Sequence, residues 1–429
     1  MTDRADSRPG NMWRSPGVIP TLVAVFAAFG GWSLLLPVIP QAILEDGRGA
    51  GLAGAYTGVF MAATVLTQTQ TPRMLRRHGY RATMFTSGLL LGLPTFLHIL
   101  GTDAALVLVL AAVRGMGFGA LTVAESALIA ELVPVRFLGK ATGALGVAVG
   151  VAQMLCLPLG LALVQFLGGY TWVYVLGGVI SLLGSVMALL IPAIRAAPKS
   201  VPGEPLPTGA PGPAARVPTW KLVAVPALAM AATSMAYGGI TAFLAPAATE
   251  IDVVSGSIVA GIALSVLGGS QMVFRYLAGV VADRVGRPGT LAIAALAAGV
   301  AGLTAMSLLL WAGWSAWWLL GAAALYGAGF GIVQNEALLL MFARLPRERT
   351  AEASAYWNMS FDSGTGVGSF VLGGVAAMAL QPYPTVFAVG AGLMAVGLVA
   401  VSADRILGSY RVAETHNMRA TLRRLGGRK

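Results

Sequence analysis

A chain of 429 residues that is 57% hydrophobic and 10% charged, with a mean hydropathy of +0.78, would as a water-soluble fold expose more apolar surface than water tolerates. The composition specifies an integral membrane protein. The net charge of +11 does not call for nucleic acid, because nearly all of the 28 Lys and Arg fall in segments on one side of the membrane, which is the positive-inside bias. The single cysteine, Cys156, sits in an apolar segment, excludes an intrachain disulfide and reads as a packing residue.

Residues 1–17 are polar, carry Arg4, Arg8 and Arg14, and read as a cytoplasmic tail. Val18 to Ile39 is the first apolar run; it is longer than a signal-peptide core and no small-residue cleavage site follows, so it is expected to stay as a span. An outer loop with Glu45, Asp46 and Arg48 leads to a second span, 52–72, and then to a basic inner loop holding Arg73, Arg76, Arg77, His78 and Arg81. Spans 83–101, 104–133, 140–167 and 171–194 complete a six-helix bundle over 18–195. Residues 196–219 are rich in Pro and Gly and read as a flexible cytoplasmic linker. Spans 220–246, 255–282, 289–313, 315–343, 352–380 and 384–406 build a second bundle over 220–407, followed by a basic cytoplasmic tail, 408–429. The expected fold is all-α, with twelve transmembrane helices as two pseudo-symmetric bundles and both termini inside.

The halves are copies. Gly115-Met-Gly-Phe-Gly119 is answered by Gly327-Ala-Gly-Phe-Gly331, and Pro134 by Pro346, at an offset of about 212 residues. The first copy holds Arg114 and Glu125 inside a span; eleven residues apart, they share one helix face at a separation of roughly 16 Å. Charges at such depth are costly unless paired or facing water, so that face lines something polar.

Six plus six spans with a long middle loop and parallel repeats resemble the major facilitator superfamily. The most specific resemblance is Gly279-Val-Val-Ala-Asp283-Arg284-Val-Gly286-Arg287, which matches that family's cytoplasmic signature loop. The loop between spans two and three is a degenerate copy: it aligns through Gly79 but has Pro72 for the first glycine and Arg76 for the acid. Arg114-Gly115-Met-Gly117 resembles the buried-arginine motif of proton-coupled members, and Gly143, Gly146, Gly150, Pro158 and Gly160 are similar to the glycine-proline pattern of antiporters. The resemblance implies alternating access in a bacterial cytoplasmic membrane, powered by a proton gradient with no other cofactor.

Four ionisable residues are read inside spans: Arg114, Glu125, Glu336 and Asp362. They are the proton-coupling candidates, because a buried carboxyl exchanges its proton as water access changes. Three acids and one base imply a cavity negative in its inner half, suited to cationic or neutral amphipathic solutes. Against this, Asp362 is equally readable as a helix tie and Arg114 as an interhelical donor. Asn358 and Asp362 share a face at i and i+4 beside Trp357, and Trp32, Tyr237 and Phe243 are further cavity candidates that would otherwise serve packing. His98 lies near the outer end of span three and is set aside as a relay, and Glu131 and Arg136 read as loop charges. A conformational latch is expected from Asp283, Arg284, Gly286 and Arg287 toward Lys140 or Arg136, with Arg76 toward Glu352 or Glu348; the alternative for Arg76 is an orientation charge. No catalytic triad, metal-ligand cluster or phosphate loop appears, so an enzyme, a metal site and an ATPase are not expected. The reading is a monomeric secondary transporter in contact with membrane lipids that exports a small amphipathic drug or metabolite by proton antiport. The rivals are a proton-coupled importer of a neutral nutrient such as a sugar, and a non-transporting membrane sensor or partner-binding protein. The missing Pro-Glu-Ser motif after span six speaks against sugar uptake, and the lack of a buried Arg or Lys in spans one and seven against organic-anion exchange.

Overall fold

The computed structural model describes residues 11–196, 218–345 and 349–407. The body of the linker, Pro346, Glu348 and the tail from 408 lie outside these residues, as do the first ten. The chain divides into two units, Met1–Pro198 and Lys199–Lys429. Every regular element among the described residues is helical.

The first unit comprises α1 (Val18–Leu35), α2 (Val38–Glu45), α3 (Ala50–Leu97), α4 (Ala104–Leu132), α5 (Leu138–Leu167) and α6 (Thr171–Ala188). Pro37, which lacks an amide donor, separates α1 from α2, and together they form the first span. That span therefore ends at Glu45, not at the expected Ile39, and Glu45 closes a helix where a loop was expected. Spans two and three are the two arms of α3, folded at Gly79 (φ 84°, ψ 171°). The expected basic loop is accordingly helix up to that glycine. A methyl on Gly79 would stand 2.8 Å from the Ile194 carbonyl oxygen, so both the backbone angle and the space demand glycine. Asp103 caps α4 by accepting from the Ala105 and Leu106 amides at 3.0 and 3.3 Å.

The second unit comprises α7 (Thr219–Ile251), α8 (Gly256–Val285), α9 (Ala292–Trp311), α10 (Leu319–Arg344), α11 (Thr350–Met378) and α12 (Pro382–Leu407). Among the described residues ten stretches are long and apolar enough to cross a membrane, one of them the 50-residue Gly51–Leu100 that Gly79 folds in two. α11 falls short of that standard because it carries Glu352, Asn358, Asp362 and several Ser and Thr on an otherwise apolar helix.

The glycine triplets show what the duplication preserves. Methyls on Gly115 and Gly119 would each stand 2.3 Å from a carbonyl oxygen of the second span, those of Phe60 and Thr64, while Gly117 faces the Ser87 oxygen of the third span at 2.7 Å. In the second unit Gly327 and Gly331 meet the Leu267 and Gln271 oxygens of α8 at 2.4 and 2.1 Å, and Gly329 meets the Ala295 oxygen of α9 at 2.5 Å. α4 and α10 thus each sit with bare backbone against two neighbours, the small-residue packing that membrane helices use. Leu267 and Gln271 stand 207 residues after Phe60 and Thr64, so the second span and α8 repeat at a shorter offset than α4 and α10. Gly286, which ends α8 in the left-handed conformation (φ 64°), stands 207 residues after Gly79.

Candidate functional site

Arg114 is 2% exposed. Its Nη1 donates to the Tyr56 hydroxyl and its Nε to the Leu91 carbonyl oxygen at 3.3 Å, and Nη2 has no hydrogen-bond partner among the described residues. Tyr56 leads outward: its ring lies 5.8 Å from that of His98, which lies 5.6 Å from Tyr174, with Tyr170 a further 6.2 Å on. His98, set aside on position alone, is buried within this cluster, and its Nε2 has no hydrogen-bond partner among the described residues. The contacts come from four helices, so no local sequence pattern announces them.

An aromatic set lies in each unit. In the first, Trp32 stacks on Phe118 (4.6 Å, 22°), with Phe29 and Phe60 against Phe118 at 5.2 and 5.6 Å. In the second, Tyr237 meets Phe330 at 5.0 Å, and Phe361 stacks between Phe330 and Trp357, 6.0 Å from each. Phe118 and Phe330 are repeat mates. Trp32 and Tyr237 are mates too, since the contact of Leu34 with Gly160 recurs as that of Gly239 with Leu372. Phe243 stands apart from this set, half-buried near Gly373 of α11.

A polar pair is also duplicated. Gln68 of the second span donates to Thr122 of α4 at 3.2 Å, and at the matching places Arg275 of α8 donates to Gln334 of α10 at 3.0 Å. Arg275 is 8% exposed and its guanidinium lies 5.4 Å from the centre of the Trp357 ring, whose Nε1 donates to the Gln334 carbonyl oxygen at 3.0 Å. The four-residue inventory of charges inside spans missed this fifth one, although Arg275 lies within α8. Three acids and two bases replace three and one, which weakens the case for a cavity field selecting cations.

The acids differ in surroundings. Glu336 is 1% exposed and accepts from the Gly289 amide, with the Leu291 N–H beside it, so it holds the turn that enters α9. Glu125 is 5% exposed, three residues past Thr122 on α4. Asp362 is half-buried, and Asn358 donates back to the Ser354 carbonyl oxygen at 3.0 Å. Among the described residues no three His, Cys, Asp or Glu are grouped to hold a metal ion.

Of the expected latch residues, Asp283 and Arg284 lie in the last turn of α8, Gly286 ends it by donating to the Ala282 oxygen, and Arg287 follows in the turn. Arg76 is near the inner end of the second span and Lys140 in the first turn of α5. Glu352 opens α11 and accepts from the Thr219 hydroxyl at 3.2 Å, which also accepts from Arg349 at 2.8 Å, tying α11 to the start of α7. Arg344 and Asp404 join α10 to α12 by an ion pair that was not foreseen.

Residues 21–369 match the sequence profile of the Major Facilitator Superfamily. The chain is similar to an "Uncharacterized MFS-type transporter" of Mycobacterium tuberculosis, 28% identical over 184 residues, which is 41% of this chain and 26% of that protein. It is 26% identical over 198 residues to a "Probable multidrug-efflux transporter" of the same organism, covering 46% of this chain and 40% of that one. The chain thus spans less than half the length of these relatives. Among solved structures it is similar to the E. coli fucose:proton symporter FucP (TM-score 0.70, 17% identity, 91% of this chain and 99% of that). It is also similar to the proton:xylose symporter XylE (TM-score 0.71, 12% identity, 96% and 100%). At such identities these two likenesses speak for the fold. With a profile match across 21–369 and two glycine-packed helical units behind it, the chain belongs to the Major Facilitator Superfamily.

Proposed function

We propose that the chain exports small amphipathic solutes from the cytoplasm in exchange for protons, working as a monomer in a bacterial cytoplasmic membrane with both termini inside. The observation that carries this reading is the burial of Glu125 and Arg114 on one helix, α4, where a carboxyl can exchange its proton as water access alternates. Glu336 is engaged in the turn into α9. The stacked aromatic sets offer flat apolar faces, which suits solutes with a planar apolar part. Arg275 beside Trp357 adds a donor for a hydrogen-bond-accepting group on the same solutes. A relative named for multidrug efflux supports the direction. The test is a pH gradient imposed across proteoliposomes and challenged with a panel of lipophilic cations, neutral aromatic amphiphiles and sugars. Collapse of the gradient by the amphiphiles, with their uphill movement against proton flow, is expected. Proton-linked sugar uptake with no response to amphiphiles would establish the importer instead, and silence across the panel would favour a protein that does not transport.

A further inference from the structure

Two cavities follow one another along the third span, and no proton-coupling or substrate candidate lines either. The first, about 350 Å³, is lined by His78, Arg81 and Phe85 of α3 and by Leu189 and Arg195 around and beyond the end of α6. The second, also about 350 Å³, is lined by Thr86, Leu89, Leu90, Leu93 and Pro94. Thr86, Leu89, Leu90 and Leu93 fall at i, i+3, i+4 and i+7, so the second cavity is a groove along one helix face, and Thr86 follows Phe85 of the first cavity directly in the chain. Leu93 is 51% exposed and Leu189 40%, as expected of side chains that face lipid.

The first cavity is held open by backbone. The Tyr80 amide donates to the Ile194 oxygen at 2.9 Å and the Ala196 amide to the Leu75 oxygen at 3.4 Å, which pins the strand carrying Arg195 against the turn at Gly79. Three basic side chains reach its lining and no carboxylate does. By the positive-inside bias this end of the third span is cytoplasmic. From Arg81 to Leu93 the helix rises roughly 18 Å, the depth of one leaflet with its headgroup boundary.

We propose that the two cavities form one binding site for an anionic phospholipid of the cytoplasmic leaflet. Its phosphate sits among Arg81, Arg195 and His78, and one acyl chain lies along Thr86, Leu89 and Leu93. Basic pockets at the cytoplasmic ends of membrane helices suit such headgroups, and arginine pairs with phosphate through parallel donors. A phosphatidylethanolamine headgroup brings its own ammonium, which Arg81 and Arg195 repel, so the site selects phosphatidylglycerol. The assignment needs the membrane orientation only and stands apart from the direction or cargo of transport.

Purified full-length protein, delipidated in detergent, is titrated with mixed micelles containing phosphatidylglycerol or phosphatidylethanolamine, and bound lipid is counted by native mass spectrometry. At least a tenfold preference for phosphatidylglycerol is expected, lost when Arg81→Gln and Arg195→Gln are combined. Thr86→Trp fills the groove and leaves the cations in place, so it should also weaken phosphatidylglycerol binding at least fivefold, and millimolar glycerol phosphate should not displace the lipid. Equal retention of the two lipids by the wild type, or an undiminished preference in the double variant, overturns the proposal. Displacement by glycerol phosphate with Thr86→Trp unaffected would make this a free-phosphate site and remove the lipid. Melting midpoints check folding, and if the double variant does not fold, Arg195→Gln alone, outside any helix, carries the comparison.

Discussion

Replacing Glu336 and Glu125 in turn separates structural from coupling carboxyls. Glu336 accepts the Gly289 amide beside the Leu291 N–H inside a nearly closed environment. Glu336→Gln keeps one acceptor oxygen but gives up the charge-assisted part of that bond and turns an amide group toward backbone donors, a loss of about 1–2 kcal/mol. Glu336→Ala leaves the donors without a partner, at about 1–3 kcal/mol each. For a unit of this size each kcal/mol lowers the melting midpoint by about 2–4 °C, so the Gln variant should melt about 2–8 °C early and the Ala variant earlier still. Glu125→Gln should lose gradient-driven transport while counterflow persists. The assay pairs intrinsic-fluorescence melting in detergent with transport per folded molecule in proteoliposomes. If Glu336→Gln melts with the wild type and abolishes gradient-driven transport, the turn-holding role is wrong and Glu336 is the coupling residue.

Gly331→Ala places a methyl 2.1 Å from the Gln271 oxygen, so α8 must retreat by about 1 Å, at a cost of about 1–3 kcal/mol. Gly321→Ala, where nothing lies within 4 Å, should match or slightly exceed wild-type stability, and equal midpoints for the two would refute the close-packing argument. Tyr56→Phe removes one of the two acceptors found for the Arg114 side chain and should cost about 1.5–3 kcal/mol, read as an early melt; an unchanged midpoint would show that the hydroxyl does not hold the guanidinium.

An all-helical membrane fold in two units was legible in the sequence because close backbone contact demands the same small residues in both copies, and Gly115 to Gly119 and Gly327 to Gly331 display that demand openly. The ends of the spans were not. Hydropathy reports where lipid stops, whereas a helix continues as long as its backbone is bonded, and so Arg73 to His78 remain helical until Gly79 turns the chain. Arg114, Glu125 and Glu336 stood out as charges in apolar surroundings, but what each one touches depends on helices far away in sequence. The match of Gln68 with Arg275 was hidden for a specific reason: α4 and α10 repeat at 212 residues while the second span and α8 repeat at 207, so a single offset misaligns them. His98 was placed by its depth along a span, and its burial by neighbours distant in sequence was not legible.

The two units kept their glycines and diverged at their polar positions, and packing explains why. A methyl at any triplet glycine would press to between 2.1 and 2.7 Å of a backbone oxygen, which no rotamer can relieve, so those positions admit little change. A polar side chain in the same helix needs only some acceptor or donor within reach. Accordingly Arg114 has Tyr326 as its mate, whose hydroxyl donates to the Thr233 oxygen at 2.7 Å, and Glu125 has Ala337. Gln68 has Arg275. Among the described residues each unit buries one arginine, held in the first unit by a tyrosine and a carbonyl toward the outer end and in the second by a glutamine and a tryptophan face beside α8. A buried guanidinium needs acceptors within reach for most of its donors, so neither could be moved to the mate position without rebuilding its acceptors. A duplicated scaffold can thus keep its helix packing in both copies while its halves bury unlike charges.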